Sequence, residues 1–320
     1  MMKAGAKMFE AIDFSAWKVY DGASEGSGRS EKVWLISDDG RIGLFKYPKI
    51  DPADQKETTE HISEHLAHQL GNILGIPTAK VDIGIRDGRI GSMSYLVRKN
   101  DEMLIEGINF IAGKYPMYNA ETMQDEDSGI YYCFNQILNS LDIIRSEKMI
   151  PFWIDIMLFD YLIGNADRHQ SNWALLFKVT KELTLPVRTR FCPLYDNGSS
   201  LCCYVNEKQT DSYLGNDTRR FESLVDSKST SMIRIDGTQK ARPRHREVVE
   251  YLLHKYPAAP KTAKHFIECL SEDVVNDLMS QYSEQILAPK KNELICRYLL
   301  KKIDLLNHLL TKEDRNHVMQ

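Results

Sequence analysis

The sequence predicts an α+β fold of two lobes: a small β-rich N-terminal lobe over residues 1–98 and a larger, mainly helical C-terminal lobe over residues 99–320. Three observations predict it. The chain has 320 residues, too many for one small core and enough for two. Up to Val97 the apolar residues come mostly in short alternating runs broken by Asp-Gly turns, the pattern of strands and hairpins. From Asn100 the pattern lengthens, and apolar residues recur at three- and four-residue steps as in helices.

Composition narrows the class. The chain is 42% hydrophobic and 27% charged, which suits a globular protein with a buried core. Its net charge of −4 argues against a nucleic-acid-binding surface, which is normally basic. The Met1–Phe9 start lacks the apolar core of a signal peptide, and no run of about 18 apolar residues exists to cross a membrane. The six cysteines show no repeated Cys-x-x-Cys spacing, so a zinc site is not expected. Cys202 and Cys203 are neighbours, a geometry that resists a disulfide. Reduced thiols in a cytoplasmic protein follow.

Phe9, Ile12, Phe14 and Trp17 are the first apolar anchors. The Gly- and Ser-rich stretch Asp21–Lys32 then runs into a strand, Val33–Ile36. Glycines between strands let backbone amides approach a phosphate, although this stretch lacks both the Walker spacing and the dinucleotide fingerprint. A plain hairpin loop is the competing reading. Asp38-Asp39-Gly40 turns the chain into a second strand, Arg41–Pro48, with Lys46 near its end. Glu57–Leu74 is helical, because Ile62, Leu66, Leu70 and Ile73 share one face. A strand lysine followed by an acidic helix is the arrangement in which Lys meets phosphates and a Glu steadies it. Glu60 and Glu64 are both candidates, with Glu64 preferred for its depth in the helix. Strands Ala79–Ile85 and Arg89–Val97 follow around Asp87-Gly88.

In the second lobe, Tyr118–Gly129 reads as an exposed polar connection and Tyr131–Ile144 as a helix. Pro151 opens another helix, and Phe152–Ile163 is apolar on nearly every face, so it should be buried. Gly164 fits the residue just past its end. Directly after come Asn165, Asp167, His169 and Asn172, crowded into one loop. Asn172 lies five residues after Asp167, the Asp-to-Asn spacing of the protein-kinase catalytic loop. A second acid, Asp196, follows 29 residues after Asp167, past two strand-like runs, Trp173–Val179 and Thr189–Leu194, expected to bring Asn172 and Asp196 together. Phosphoryl transfer asks for one carboxylate to orient the attacking hydroxyl and for oxygen ligands that hold magnesium against phosphates. Asp167, Asn172 and Asp196 are the right residue types. His169 either orients the loop or acts as a base. The orienting role is preferred because an Asp already accepts the proton. Residues 204–242 are polar, either a solvated excursion or a substrate platform. Residues 246–307 carry amphipathic helices with Leu294, Tyr298, Leu299, Leu305 and Leu306 as a packing face.

The run Gly164-Asn165-Ala166-Asp167-Arg168-His169-Gln170-Ser171-Asn172, with Tyr195-Asp196, resembles the HipA-type serine/threonine kinases, and among them the short CtkA-type members. The resemblance implies a two-lobed, protein-kinase-like fold with ATP and Mg2+ as cofactors. It implies that Asp167 accepts the hydroxyl proton, that Asn172 and Asp196 hold magnesium, and that Lys46 binds phosphate oxygens. Gly28 and Lys32 are the nearest matches to the family's phosphate-covering loop, with Ser30 where the family has Gln. Ser24, Ser27 and Ser30 become candidates for self-phosphorylation. Chain order places Ser94–Arg98, and with it Ser94 and Leu96, at the hinge that contacts adenine. The expected partners are ATP and a protein substrate, with no direct nucleic-acid binding and no membrane insertion. Longer members carry an extra N-terminal domain and pair with a DNA-binding antitoxin. Only about 45 residues precede Lys46 here, so neither that domain nor an antitoxin partner is expected. Asp167-Arg168-His169 is also similar to phosphatidylinositol kinases, which keeps a lipid kinase as an alternative. A non-catalytic nucleotide-binding pseudokinase is the other.

Overall fold

Alternating apolar side chains and tight turns build the sheet that opens the chain, and long apolar stripes build the helices that close it. The structure, a computed structural model, describes residues 8–22, 31–144, 146–179 and 189–318. The glycine-rich stretch therefore falls mostly outside the described residues, and with it Gly28, Ser24, Ser27 and Ser30. In chain order the first elements are β1 (Ile12–Asp13), β2 (Lys18–Val19), β3 (Lys32–Ile36), β4 (Ile42–Lys46), α1 (Glu60–Leu74), β5 (Val81–Arg86) and β6 (Arg89–Tyr95). Next come β7 (Glu102–Glu106), α2 (Gly107–Lys114), β8 (Tyr118–Asn119), β9 (Gln124–Asp125), α3 (Phe134–Ser140) and α4 (Met149–Ile163). The chain continues through β10 (Ala174–Lys178), β11 (Thr189–Phe191), α5 (Glu207–Leu214), α6 (Thr218–Val225), α7 (His245–Lys255), α8 (Ala258–Cys269), α9 (Glu272–Met279) and α10 (Pro289–Val318).

The chain divides into two compact units that each draw on separate stretches. The first holds residues 1–97, 195–222 and 268–301, and the second holds residues 98–194, 223–267 and 302–320.

In the first unit a six-stranded sheet runs in the order β1-β5-β6-β4-β3-β2. Only β1 pairs parallel, against β5. The other neighbours are antiparallel, as hairpins dictate. Phe14, Leu35, Phe45, Tyr47 and Met93 form its core, flanked by Trp17, Val33 and Tyr95. Helix α1 buries Ile62, Leu66, Ala67 and Leu70 against this region. The helix starts at Glu60, three residues later than the sequence pattern suggests. The reason is local: Glu57 pairs with Ile50 in a β-bridge, and the Asp51 amide donates to the Lys56 carbonyl.

In the second unit α4 is the axis. Its side chains from Trp153 to Ile163 are almost all buried, as an apolar run requires. Beside it stands an antiparallel three-stranded sheet, β11-β10-β7. Three sequence expectations change here. Residues 102–106 form a strand where a helix is expected, because β10 supplies a ladder partner from Glu102 to Glu106. Tyr118–Gly129 is a short ribbon of β8 and β9, pinned where Ser128 donates its amide to Asp125 Oδ2. The helix expected over Tyr131–Ile144 is confined to α3 and a single 3-10 turn, because Tyr131 and Cys133 are held in bridges to Gln124 and Arg234. Residues 204–242 are more ordered than either sequence reading describes, since α5 and α6 lie within them. On α10, Leu294, Tyr298, Leu299 and Leu306 are buried as the stripe predicts. Among the described residues no helix is long and apolar enough to cross a membrane.

Candidate active site

The chemistry-bearing residues fall into two groups, one in each unit. In the first unit, Lys46 ends β4, across the ladder from Lys32 on β3 and Ser92 on β6. Close approach of these strands demands Gly91, where a Cβ would lie 2.4 Å from the Lys46 carbonyl oxygen. The Lys46 ammonium donates to Glu64 Oε1 at 3.0 Å and to Asp196 Oδ1 at 2.9 Å. Glu64 lies deep on α1, with its side chain only 4% exposed. Its second oxygen accepts the Asn197 amide at 3.0 Å. One helix carboxylate thus ties a strand lysine to the Tyr195-Asp196-Asn197 segment. Burial alone would pull the Lys46 ammonium down, but the Asp196 and Glu64 carboxylates outweigh it and hold it above the ordinary lysine value.

Glu60, the other candidate, belongs to a different cluster. It accepts the Lys49 amide and ammonium, each at 2.9 Å, and the Tyr204 hydroxyl at 2.7 Å. The two acids on one face of α1 therefore have separate partners. Asp196 takes a positive φ of 56°, a left-handed conformation that Asp adopts more readily than most residues. Its side chain remains 48% exposed, so carboxylate surface is left beside the lysine. Ser94 lies inside β6, between β4 and β5. The Leu96 amide donates to the Ile42 carbonyl at 3.0 Å, which commits that donor to the sheet.

In the second unit the loop begins where α4 stops. Gly164 takes a φ of 66°, and its amide turns back onto the Tyr161 carbonyl. The loop is then fixed from below by a buried ion pair. Arg168 donates to Asp160 through Nε at 3.0 Å and Nη2 at 2.7 Å, a two-pronged contact from a side chain 1% exposed. Arg168 Nη1 also donates to the Asn172 carbonyl at 3.0 Å. Asn165 donates its side-chain amide to Asp160 and accepts the Asp167 amide on Oδ1, at 3.1 and 3.0 Å. Asn172 donates its side-chain amide to the Asp167 carbonyl at 2.7 Å, which leaves its Oδ1 facing the other way. His169 Nδ1 accepts the Ser171 amide at 3.2 Å, so that nitrogen carries no proton in this arrangement.

Asp160, Arg168 and Asn165 do structural work that the sequence motif did not assign to them. The signal was there for Asp160: an acid in an apolar helix must find a partner. His245, which donates to this loop from α7, gave no local signal. Among the described residues, no cluster of three or more His, Cys, Asp and Glu side chains is placed to hold a metal ion alone.

The chain belongs to the family of the HipA-like C-terminal domain, whose profile matches residues 25–268. Among similar proteins is the serine/threonine-protein kinase CtkA of Helicobacter pylori, 21% identical over 299 residues that cover 89% of this chain and 86% of CtkA. A crystal structure of the Helicobacter pylori proinflammatory kinase CtkA matches with a TM-score of 0.78 at 16% identity, covering 95% of this chain and 98% of that one. HipA of Shewanella oneidensis, solved with HipB and operator DNA, matches with a TM-score of 0.55 at 14% identity, covering 96% of this chain and 69% of that one. These likenesses show the fold: α+β and protein-kinase-like, as the sequence predicts.

Proposed function

We propose that this chain is an ATP- and magnesium-dependent protein kinase that transfers the γ-phosphoryl group to serine or threonine, itself among the substrates. One observation carries the reading: Lys46 is held by Glu64 at 3.0 Å beside the Asp196 carboxylate at 2.9 Å. A strand lysine steadied by a helix glutamate, next to an acid on a turn, is the phosphate-handling half of a kinase. Family membership and the name of the Helicobacter relative support it.

The donor set suits magnesium, a hard cation that takes oxygen ligands and keeps substrate phosphates and waters in its shell. Asp196 offers exposed carboxylate surface, and Asn172 offers its Oδ1. Both are assigned to the metal, which when bound draws the phosphates together and offsets their charge. Lys46 binds phosphate oxygens, and Lys32, directly across the ladder, adds a second positive charge on the same face of the sheet. Residues 94–98 are assigned to the adenine, through backbone groups other than the Leu96 amide, which the Ile42 carbonyl holds.

Asp167 is the catalytic carboxylate. Its backbone is fixed by Asn165 and Asn172, so the side chain has a rigid base. It orients the substrate hydroxyl and accepts its proton. The hydroxyl oxygen bonds to the γ-phosphorus as the bond to the ADP oxygen breaks. His169 orients the loop through the Ser171 amide and takes no proton in the transfer. The substrate protein, and a location in the cytoplasm, belong to the same proposal.

The test incubates the purified chain with labelled ATP and magnesium, beside an Asp167→Ala variant. Label should pass to protein in the wild type and fall by about 100-fold or more in the variant, with both melting alike. A wild type that binds nucleotide but labels neither itself nor a generic protein would instead favour a pseudokinase. Labelling of phosphoinositide vesicles alone would favour a lipid kinase.

A further inference from the structure

The catalytic loop is held from above as well as from below. His245 opens α7 and is 1% exposed. Its Nε2 lies 3.1 Å from the Asn165 carbonyl, and its Nδ1 lies 2.9 Å from the Ser229 hydroxyl. Lys302, on α10 and also 1% exposed, donates its ammonium to that same hydroxyl at 2.9 Å. The Lys302 ammonium rests 4.4 Å from the centre of the Tyr161 ring, and the Tyr161 hydroxyl donates to the Lys302 carbonyl at 2.8 Å.

Donor and acceptor counting with a neutral imidazole gives one arrangement. A lysine ammonium only donates, so Ser229 must accept from Lys302. In a neutral ring with its proton on Nε2, His245 Nδ1 accepts the serine proton. A carbonyl only accepts, so His245 Nε2 must donate to Asn165. The relay runs one way, from Lys302 through Ser229 and His245 to the Asn165 carbonyl. A doubly protonated His245 would reverse the Ser229 link, since Nδ1 would then donate to the second lone pair of the hydroxyl. Burial first, and then the Lys302 charge, push His245 down to about 3, which agrees with a neutral ring. Nearby, Arg242 Nη1 reaches the Ala166 carbonyl at 3.4 Å.

We propose that Lys302, Ser229 and His245 form a buried relay that fixes the Asn165 peptide and thereby sets the position of Asp167, making His245 a positioning residue for phosphoryl transfer. The step in the argument is short: Asn165 Oδ1 holds the Asp167 amide, so a rotated Asn165 peptide moves the catalytic carboxylate. This inference rests on the kinase reading. A misplacement of about 1 Å in such a loop costs on the order of 100-fold in rate.

Two measurements test it. The first compares His245→Leu with His245→Gln, whose side-chain amide still offers a donor to the Asn165 carbonyl. His245→Leu should lower kcat by roughly 10- to 100-fold with KM for ATP nearly unchanged, and His245→Gln should recover most of the loss. Equal loss in both variants, or full activity in His245→Leu, would overturn the proposal. The second reads the ring nitrogens of His245 in the wild type by 15N NMR near neutral pH. Nε2 should carry the proton and Nδ1 should not, and Ser229→Ala, which removes the donor to Nδ1, should move the Nδ1 resonance while Nε2 keeps its proton. The opposite tautomer or a doubly protonated ring overturns the relay. If the wild type itself transfers no phosphate, the kinase reading falls, while the tautomer still decides whether the relay exists.

Discussion

At the scale of single residues, Lys46 decides the most. It stands between two carboxylates, and removing its charge leaves Glu64 buried without its cation. Lys46→Met should therefore abolish labelling and destabilise the fold by about 2–4 kcal/mol, read by urea unfolding. The Lys49–Glu60 pair is the comparison, because the Lys49 side chain is 46% exposed. Lys49→Met should change stability by less than about 1 kcal/mol and leave transfer in place. If both substitutions behaved alike, the special position of Lys46 would be lost. Lys46 and Asp196 stood out in the sequence because a strand lysine and a late acid fit one chemistry, and the fold sets them 2.9 Å apart. By sequence Glu60 and Glu64 were both candidates on one face of α1, with Glu64 preferred only for its depth in the helix. Only the Asn197 amide and the Lys46 ammonium on one side, and Lys49 and Tyr204 on the other, distinguish them.

At the scale of elements, α4 and its loop act as one piece. The helix ends at Gly164, yet Asp160 inside it reaches forward to clamp Arg168 and Asn165. Removing either charge strips the other, still buried, of its strongest contact, leaving the Asn165 amide on Asp160 or the Asn172 carbonyl on Arg168. Arg168→Leu should cost about 3–5 kcal/mol, and pairing it with Asp160→Leu should restore much of that. A double variant no better than the single would show that the ion pair is not the reason. Gly164→Ala, forced into a positive φ, should cost about 1 kcal/mol. Helix α4 was legible because a run apolar on every face admits one reading. Strand β7 was not, because its ladder partner β10 lies some 70 residues along the chain and local periodicity cannot register it. The hinge expectation shows the same limit. Chain order points to Ser94 and Leu96, but only the sheet register reveals that the Leu96 amide is already bonded to Ile42.

At the scale of the whole molecule, buried histidines set the response to acid. Burial pushes His61 and His65 down to about 4 and His245 to about 3, from an ordinary value of 6.5. Each binds its proton more weakly when folded. Below pH 6.5 the unfolded chain therefore takes up protons that the folded chain refuses, and stability falls as pH falls through 4. The loss should be on the order of 1 kcal/mol per histidine for each pH unit. Urea midpoints at pH 7.5, 6.5 and 5.5 check this, and an unchanged midpoint across that range would contradict it. The division of the chain was the least legible feature at this scale. Residues 195–222 and 268–301 group with the first unit, although they follow the long helical stretch in sequence. Contacts between distant segments arise from packing, which no local pattern encodes.

The most direct measurement is the location of phosphate after the purified chain meets ATP and magnesium. Mass spectrometry would compare the wild type with Asp196→Asn, using a generic protein as acceptor. Phosphate on serine or threonine in the wild type, lost in Asp196→Asn and lost again when the metal is chelated, is the expected result. Phosphate on neither chain, or equal phosphate on both, would contradict a magnesium-dependent transfer built on Asp196.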